Sequence, residues 1–246
     1  MPRRETRDPY KILVSEIMLQ QTQVSRVLEK YGSFLKSFPT IRELAHAASG
    51  DVLRAWQGLG YNRRALLLKR CAEEVVERFG GVIPQERADL ESLPGIGKAT
   101  AGSMRAFAFN KPDVFIETNI RSVYIHHFFG DRSDVIDAAL VPYIAKTLDR
   151  KNPREWYYAL MDYGVYLKSI MPNPNRKSRH YTRQSRFEGS DRQIRGRALK
   201  ILTEKRLVPK ASLYKALGGD RERLEIIIAG LIKEGLIHMV GGKFFI

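Results

Sequence analysis

The sequence predicts a mainly α-helical protein of two unequal parts joined by a basic segment. Apolar residues recur at helical spacing from about residue 8 to about residue 168, and a polar, strongly basic stretch follows. The chain then reads as three short helices and two short strands around Gly241–Gly242. A chain of 246 residues with 43% hydrophobic residues can bury a full core and form one large or two modest domains.

The first part is a series of helices with recognisable ends. Asp8 is predicted to cap a helix that begins with Pro9 and carries Glu16, and Thr40 is predicted to cap another helix. Two helices joined by a tight hairpin at Leu93–Gly97 are predicted in "RADLESLPGIGKATAGSMRAFAF". Further helices are predicted in "SGDVLRAWQGLG", "NRRALLLKRCAEEVVERFGG", "NIRSVYIHHFF", "SDVIDAALVPYIAKTL" and "REWYYALMDYGVYLK".

The second part begins with a change of composition. From Pro172 to Lys200, nine Lys or Arg residues stand against two acids. We therefore predict a helical domain over 1–171, a basic linker that can contact DNA over 172–191, and a separate module over 192–246. Three helices and a hairpin match a winged helix, whose third helix can enter the major groove of DNA. Arg221 and Arg223 lie near the start of that helix, and Lys243 lies in the wing.

Charge and composition limit the function. The net charge of +15 indicates a polyanionic partner and favours nucleic acid. The single cysteine, Cys71, excludes an internal disulfide and any site built from several thiolates of this chain. Scattered histidines predict no catalytic metal. No apolar run approaches membrane-spanning length, so we expect neither a signal peptide nor an anchor, and a cytoplasmic, nucleoid-associated protein.

Two short stretches carry the chemistry. Glu16 shares the apolar face of its helix with Ile12 and Leu19, although carboxylates are seldom buried without a partner. In "LPGIG", Gly95 and Gly97 allow a tight turn, and the helix that follows presents backbone N–H groups suited to a phosphate. The glutamate indicates acid–base chemistry, and the hairpin indicates a grip on a DNA backbone that reads no sequence.

Four blocks together identify a family. "DPYKILVSEIMLQQTQV", "GLGYNRRA", "LPGIGKATAG" and "IETNIRSV" resemble, in order and spacing, the helix-hairpin-helix (HhH-GPD) DNA glycosylase superfamily. Within it the chain is most similar to bacterial glycosylases that remove adenine mispaired with guanine or 8-oxoguanine. The resemblance covers about residues 8–168 and leaves the C-terminal module outside. It implies an all-α fold of two helical subdomains and a partner of double-stranded DNA that contains a mismatch or lesion.

The resemblance implies three catalytic residues. The equivalent of Glu16 protonates the departing purine, or activates water, after the base has rotated out of the duplex. The second family carboxylate, an aspartate that stabilises positive charge on the sugar, falls on Glu117, which is one methylene longer. Asp113 is nearby but stands four residues too early. Asn119 matches a family asparagine that can orient this site; capping of a helix is its structural alternative.

The resemblance also implies a DNA-binding surface. Gln20 and Gln21 match positions that approach the orphaned base and fill the vacated stack, although a polar helix end would explain them too. The remaining candidate DNA contacts are in the "GLGY" block, the hairpin and the basic linker: Tyr61, Gly95, Gly97, Lys98, Arg176, Lys177 and Arg179.

Three departures from the family shape the prediction. The lysine nucleophile of strand-cleaving relatives is Ala99 here, so we predict a monofunctional enzyme. Four cysteines that hold an iron–sulfur cluster in most relatives are missing, and Lys168 lies near the place of the first one. No cofactor is expected, apart from a monovalent cation that the resemblance allows at the hairpin carbonyls. The 8-oxoguanine-sensing domain of the family is replaced by the winged helix.

Two other functions stay open at this stage. The same scaffold hosts mismatch thymine or uracil glycosylases, so the excised base is not fixed by the sequence. A non-catalytic winged-helix DNA-binding protein is the alternative from another class, favoured by the Glu117 departure and opposed by the intact Glu16 block. We expect a monomer in each case.

Overall fold

The computed structural model describes residues 4–184 and 186–246. The helices are α1 Pro9–Leu19, α2 Val24–Ser37, α3 Ile41–His46, α4 Ser49–Ala55, α5 Arg63–Phe79, α6 Arg87–Ser92, α7 Lys98–Phe109, α8 Thr118–Phe128, α9 Asp137–Thr147, α10 Pro153–Ile170, α11 Asp191–Glu204, α12 Lys210–Leu217 and α13 Arg221–Lys233. The strands are β1 Val208–Pro209, β2 His238–Val240 and β3 Lys243–Phe245. We call α1–α10 the first domain and α11–β3 the C-terminal module. No helix among the described residues is long and apolar enough to cross a membrane.

The predicted helix starts are confirmed by their caps. The Asp8 carboxylate accepts hydrogen bonds from the backbone N–H groups of Tyr10 and Lys11, at 2.9 and 3.3 Å. Thr40 and Glu43 form a reciprocal capping box at the start of α3. These contacts are local in sequence, and the helices therefore begin where the residue types indicate.

The stretch from Asp8 to Val24 is not one continuous helix. Helix α1 ends at Leu19, α2 begins at Val24, and Gln21 between them has a left-handed backbone, with φ +54°. The predicted polar end of the first helix is therefore a separate connecting loop, and Gln20 and Gln21 project from this loop.

Close contacts between helices build the core of the first domain. Helix α1 packs on α7, α8 packs on α10, and α3 packs on α5. Trp56, Phe107 and Tyr157 are among the largest side chains that are fully buried there. Tyr166 lies at helical spacing from Tyr158 on α10, which favours a place in the core, but it is 56% exposed and stacks on Tyr163. The apolar face of α10 is therefore narrower at its C-terminal end than the spacing of its aromatic residues indicates.

The segment after α10 is partly packed rather than a free linker. A short 3₁₀ helix, Pro174–Lys177, lies against α8. Ser178 forms a parallel bridge with Val135, supported by the hydrogen bond from Val135 N–H to the Lys177 carbonyl oxygen at 2.9 Å. These contacts hold in place the stretch in which the family resemblance implies a metal cluster for most relatives.

The C-terminal module has the predicted order of three helices and a hairpin. Its hairpin turns at Gly241–Gly242, both with positive φ, and the short strand β1 adds to give the antiparallel order β1–β3–β2. The module docks on α4: the carbonyl oxygen of Thr203 accepts hydrogen bonds from the Arg54 guanidinium, at 3.2 and 3.4 Å. The Gln57 amide donates to the Thr203 hydroxyl. The position of the module relative to the first domain is therefore fixed by specific contacts.

Candidate active site and DNA interface

Glu16 lies on the face of α1 that the sequence indicated. Its neighbours Ser15 and Ile17 are buried, while Glu16 itself is half-buried, one turn before Gln20. Helix α1, which carries Glu16, packs on α7, the helix that follows the hairpin. A half-buried carboxyl group in this position can exchange a proton with a bound base and still be reached by solvent.

The loop after α1 is tied to the start of α7. The Gln20 side-chain amide donates to the Thr100 hydroxyl at 3.2 Å. Gln21 is exposed and holds its left-handed conformation. Backbone strain of this kind in a residue other than glycine is typical of functional sites. The two glutamines thus lie beside the helix start that we predicted to hold a phosphate.

Arg64 is a buried residue of the candidate site that the sequence motifs did not single out. Its buried guanidinium donates to the carbonyl oxygens of Ile17, Met18 and Gln20, at 2.7, 3.0 and 2.5 Å. It also donates to the Gly60 carbonyl oxygen at 3.0 Å. Burial lowers its pKa to about 10, so it stays protonated at neutral pH. Arg64 therefore joins the open C-terminal end of α1 to the "GLGY" loop.

A signal for Arg64 was present in the sequence. Arg64, Leu68, Cys71 and Val75 follow one another at helical spacing, and all four are buried on α5. A cation on a buried stripe requires partners, by the same reasoning that singled out Glu16.

Tyr61 lies at the exposed end of this loop. It has a left-handed backbone, with φ +46°, and its side chain is partly exposed. The Tyr61 hydroxyl accepts hydrogen bonds from the Gln184 amide at 3.1 Å and from the Arg192 guanidinium at 3.2 Å. The candidate DNA-contacting tyrosine therefore also contacts residues beyond the first domain.

The hairpin is the predicted phosphate site. Gly95 has φ +80°, and a Cβ atom there would lie 3.0 Å from the Cβ of Leu67. Gly97 caps α7 without a side-chain hydrogen bond, and Gly97, Lys98 and Ala99 are exposed. The first N–H groups of α7 and the positive end of its dipole therefore face outward, next to the Lys98 ammonium.

Glu117 and Asn119 form a second cluster, at the start of α8. One Glu117 carboxylate oxygen accepts from the N–H groups of Asn119 and Ile120, at 2.7 and 2.8 Å. The other accepts from the Asn119 amide at 3.2 Å. Glu117, not Asn119, is thus the cap of α8, and the longer side chain folds back as an aspartate cap would.

Lys168 completes this cluster. Its ammonium donates to the Asn119 side-chain carbonyl oxygen. Burial lowers the pKa of Lys168, while the negative charge of Glu117 acts in the opposite direction and raises it. The residue that stands near the place of the first family cysteine therefore supplies a cation beside the candidate second carboxylate.

Asp113 is held elsewhere. Its carboxylate forms ion pairs with Arg87 and with Arg105, the latter at 2.8 Å, and only 9% of its side chain is exposed. Two arginines that neutralise Asp113 in place make it a structural residue at the base of the hairpin helices. Glu117 is therefore the better-placed carboxylate of the two.

The basic residues of the linker have unequal surroundings. Lys177 donates to the Gly130 carbonyl oxygen, and Arg179 binds the Asp134 carboxylate through two contacts of 3.0 Å and a shorter one. Arg176 is exposed. Two of the three predicted phosphate contacts thus hold the linker to the loop before α9, although all three residues are exposed.

The chain does not fit an iron–sulfur cluster. Such a cluster needs about four thiolates, and the only cysteine, Cys71, is buried in α5, where burial raises its thiol pKa to about 12. Among the described residues no group of three or more His, Cys, Asp or Glu side chains could hold a metal ion.

Comparisons with known proteins identify the relatives of this chain. The model of the HhH-GPD superfamily of base excision DNA repair proteins matches residues 14–141. The adenine DNA glycosylase of Mycobacterium tuberculosis (strain ATCC 25618 / H37Rv) is 31% identical over 271 residues, which cover 96% of this chain and 84% of that protein. This coverage extends into the C-terminal module, which we had expected to lie outside the resemblance.

Other relatives differ in the base that their names give. The thymine/uracil-DNA glycosylase of Pyrobaculum aerophilum is 37% identical over 134 residues, covering 54% of this chain and 58% of that protein. The structure of a thermostable thymine-DNA glycosylase matches with a TM-score of 0.63 and 26% identity, over 72% of this chain and 83% of that one. A non-covalent endonuclease III–DNA complex has the same fold, with a TM-score of 0.53 and 19% identity over 67% and 75% of the two chains. The chain belongs to the helix-hairpin-helix superfamily of base excision DNA repair proteins.

Proposed function

We propose that the protein is a DNA glycosylase that removes adenine mispaired with guanine or 8-oxoguanine. The observation that carries the proposal is the pair of acidic sites on one hairpin-containing domain: half-buried Glu16 on α1 and the capped Glu117 on α8. The similarity to a mycobacterial adenine glycosylase, over 96% of this chain and 84% of that protein, supports adenine as the base.

The two carboxyl groups have different roles in the reaction: Glu16 transfers a proton and Glu117 stabilises positive charge. The Glu16 carboxylic acid gives its proton to a ring nitrogen of adenine, the C1′–N9 bond breaks, and its electron pair leaves with the base. The Glu117 carboxylate stabilises the oxocarbenium-like sugar while three donors hold it in position. Water then adds to C1′ and gives a proton to Glu16, which restores the acid and leaves adenine and an abasic site.

The enzyme acts without strand cleavage and without an iron–sulfur cluster. Ala99 has no amine with which to attack the sugar, and Lys98 is exposed at the first position of α7. The linker contacts of Lys177 and Arg179 supply the support that the cluster would give. We propose that it binds mismatched duplex DNA as a monomer through the first domain (1–171), the linker (172–191) and the module (192–246).

The test is an excision assay over a set of base pairs. Duplexes with adenine opposite guanine, 8-oxoguanine or cytosine, and with thymine or uracil opposite guanine, are incubated with the full chain and then treated with alkali. We expect alkali-dependent cleavage at adenine only, with no covalent adduct on borohydride treatment. Excision of thymine or uracil alone would assign the enzyme to the other base, and a borohydride-trapped adduct would contradict the monofunctional mechanism.

A mismatch thymine or uracil glycosylase is the second candidate. The thymine/uracil-DNA glycosylase of P. aerophilum and the thymine-DNA glycosylase structure, which both match this chain, favour it. A protein that excises nothing from any of these duplexes, yet binds them, would be the non-catalytic DNA-binding alternative.

A further inference from the structure

A broad groove lies between the first domain and the C-terminal module. Its volume is about 1260 Å³, which is above the roughly 300–1,000 Å³ of small-molecule pockets. Its lining contains eight Lys or Arg residues, six glutamines and one acid, Glu234. The Glu234 carboxylate is paired with Arg195 at 2.6 Å. Cations and side-chain amides along such a groove suit part of the backbone of a polyanion that also has hydrogen-bonding edges.

One wall of the groove is the candidate DNA interface described above. It carries Gln20, Gln21 and Tyr61, together with the exposed cations Arg26 and Arg63. Because the hairpin helix contacts Gln20 through Thr100, this wall continues onto the phosphate site at the start of α7.

The other wall is α11 of the module. Arg192 of this helix donates to the Tyr61 hydroxyl, so the two walls meet at the tyrosine. Arg197 and Lys200 are exposed on the same wall. Arg197 makes a single hydrogen bond, to the Ala216 carbonyl oxygen at 3.0 Å, and Lys200 lies 4.0 Å from its nearest acid, Glu204. A guanidinium has five N–H donors, so most of those on Arg197 stay available to a ligand.

The third helix of the module, α13, lies outside the groove. Arg223 binds the Asp191 carboxylate at 2.8 Å and the Gly189 carbonyl oxygen at 2.7 Å, and so fastens α13 to the start of α11. Arg221 lies 3.7 Å from Glu225 of its own helix, and 83% of its side chain is exposed, but it does not face the groove. Leu224, Ile227 and Leu231 of α13 are buried in the module core. None of these residues lines the groove.

We propose that α11, not α13 or the β2–β3 wing, is the DNA-binding element of the module, and that Arg197 and Lys200 contact phosphates of a duplex held in the groove. The proposal rests on the proposed function only in taking duplex DNA as the substrate. The linker and the module thus form the second wall of the groove, opposite the candidate DNA-binding surface of the first domain.

Two variants with equal charge change test the proposal in the full-length protein. The first variant, Arg197→Gln/Lys200→Gln, removes two cations from α11. The second variant, Arg221→Gln/Lys243→Gln, removes one cation from α13 and one from the β2–β3 wing. Affinities for a mismatched and a fully paired duplex are measured at several salt concentrations, and thermal unfolding verifies that both variants fold. We expect the α11 variant to bind roughly tenfold to a hundredfold more weakly at low salt, with a salt slope smaller by about 2. The other variant should stay within about threefold of wild type.

The outcomes separate this inference from the proposed function. Wild-type affinity and slope in the α11 variant, a loss confined to the other variant, or equal losses in both would each overturn the assignment to α11. A groove that binds a protein partner would also leave DNA affinity unchanged in the α11 variant. Failure of the wild-type protein to excise any base would contradict the proposed function, while the comparison of binding would still decide on α11.

Discussion

Glu16 on α1 and Arg64 on α5 are ionisable side chains that lie on otherwise apolar helix faces. Arg64 satisfies carbonyl groups at the end of α1 and holds the loop that carries Gln20 and Gln21. Glu16 lies one turn earlier on the same helix and is half-buried. We therefore propose that the arginine positions this loop and that the glutamate transfers the proton.

Replacing Glu16 with glutamine should abolish excision and preserve binding. The amide keeps the shape of the side chain and removes the transferable proton, so single-turnover excision should fall by about a hundredfold or more. Glu29→Gln, on the exposed surface of α2, is the matched control and should react like wild type. A Glu16→Gln rate close to that of wild type would remove Glu16 from the mechanism.

Glu117 should tolerate a shorter carboxylate but not the loss of its charge. Aspartate can still cap α8 and face the sugar, so Glu117→Asp should keep most of the excision rate or improve it. Glu117→Ala loses the carboxylate and the cap, so excision should slow by about a hundredfold or more, and stability should fall by about 1 kcal/mol. Single-turnover rates and thermal unfolding of both variants are the measurements. An unchanged rate in the alanine variant would move the role to another carboxylate.

Lys168 should make excision sensitive to alkaline pH. Burial lowers its pKa, so it loses its proton at a lower pH than an ordinary lysine, and Glu117 then loses a neighbouring cation. We expect the excision rate to decline below the usual titration range of lysine and Lys168→Arg to move this decline to higher pH. Lys146→Arg, an exposed site on α9, is the control. Identical pH profiles for the Lys168→Arg variant and wild type would separate the lysine from the site.

At the scale of the elements, helices α8 and α10 approach each other closely at Gly164. A Cβ atom on Gly164 would lie 2.5 Å from the carbonyl oxygen of Asn119 and 2.8 Å from its Cβ. The glycine of "MDYG" therefore lets α10 pass directly beside the helix start that holds Glu117 and Asn119.

Gly164→Ala should displace α8 and slow excision. Overpacking of this kind typically costs about 1–3 kcal/mol, and the start of α8 carries the candidate carboxylate. Gly32→Ala in α2 meets nothing within 4 Å and should be neutral or slightly stabilising. Thermal unfolding and single-turnover rates of the two variants are compared. Equal behaviour would show that the helices can separate without affecting the site.

The elements that could be predicted from sequence are those fixed by neighbours along the chain. The caps at Asp8 and Thr40 and the hairpin glycines follow from local chemistry, and they are where the residue types placed them. The break after Leu19 was not predictable in this way, because the arginine that stabilises it is 44 residues from Gln20. The Glu117–Asn119–Lys168 cluster likewise spans 49 residues between the last two. Long-range contacts of this kind assemble both clusters.

At the scale of the whole molecule, the protein has a net charge of +15, and the docking of the module on α4 brings cations of the two parts close together. The cations of α11 face those of the first domain across the groove and therefore repel them. The contacts of Thr203 with Arg54 and Gln57 hold the two parts together against this repulsion. Bound DNA would neutralise both walls, so binding and docking should strengthen each other.

Thr203→Val tests this coupling, because it keeps the volume of the side chain and deletes its hydroxyl. The half-buried Gln57 amide loses its partner, at a cost of about 1 kcal/mol for a typical hydrogen bond. The docked state should then be less populated, which lowers the apparent affinity for duplex DNA by the same fraction. We expect faster amide hydrogen exchange in α11, partly restored by DNA, and weaker binding. Thr147→Val deletes a hydroxyl bonded to Tyr124, away from the groove, and should leave α11 exchange unchanged. Unaltered exchange and affinity in Thr203→Val would mean that docking and DNA binding are independent.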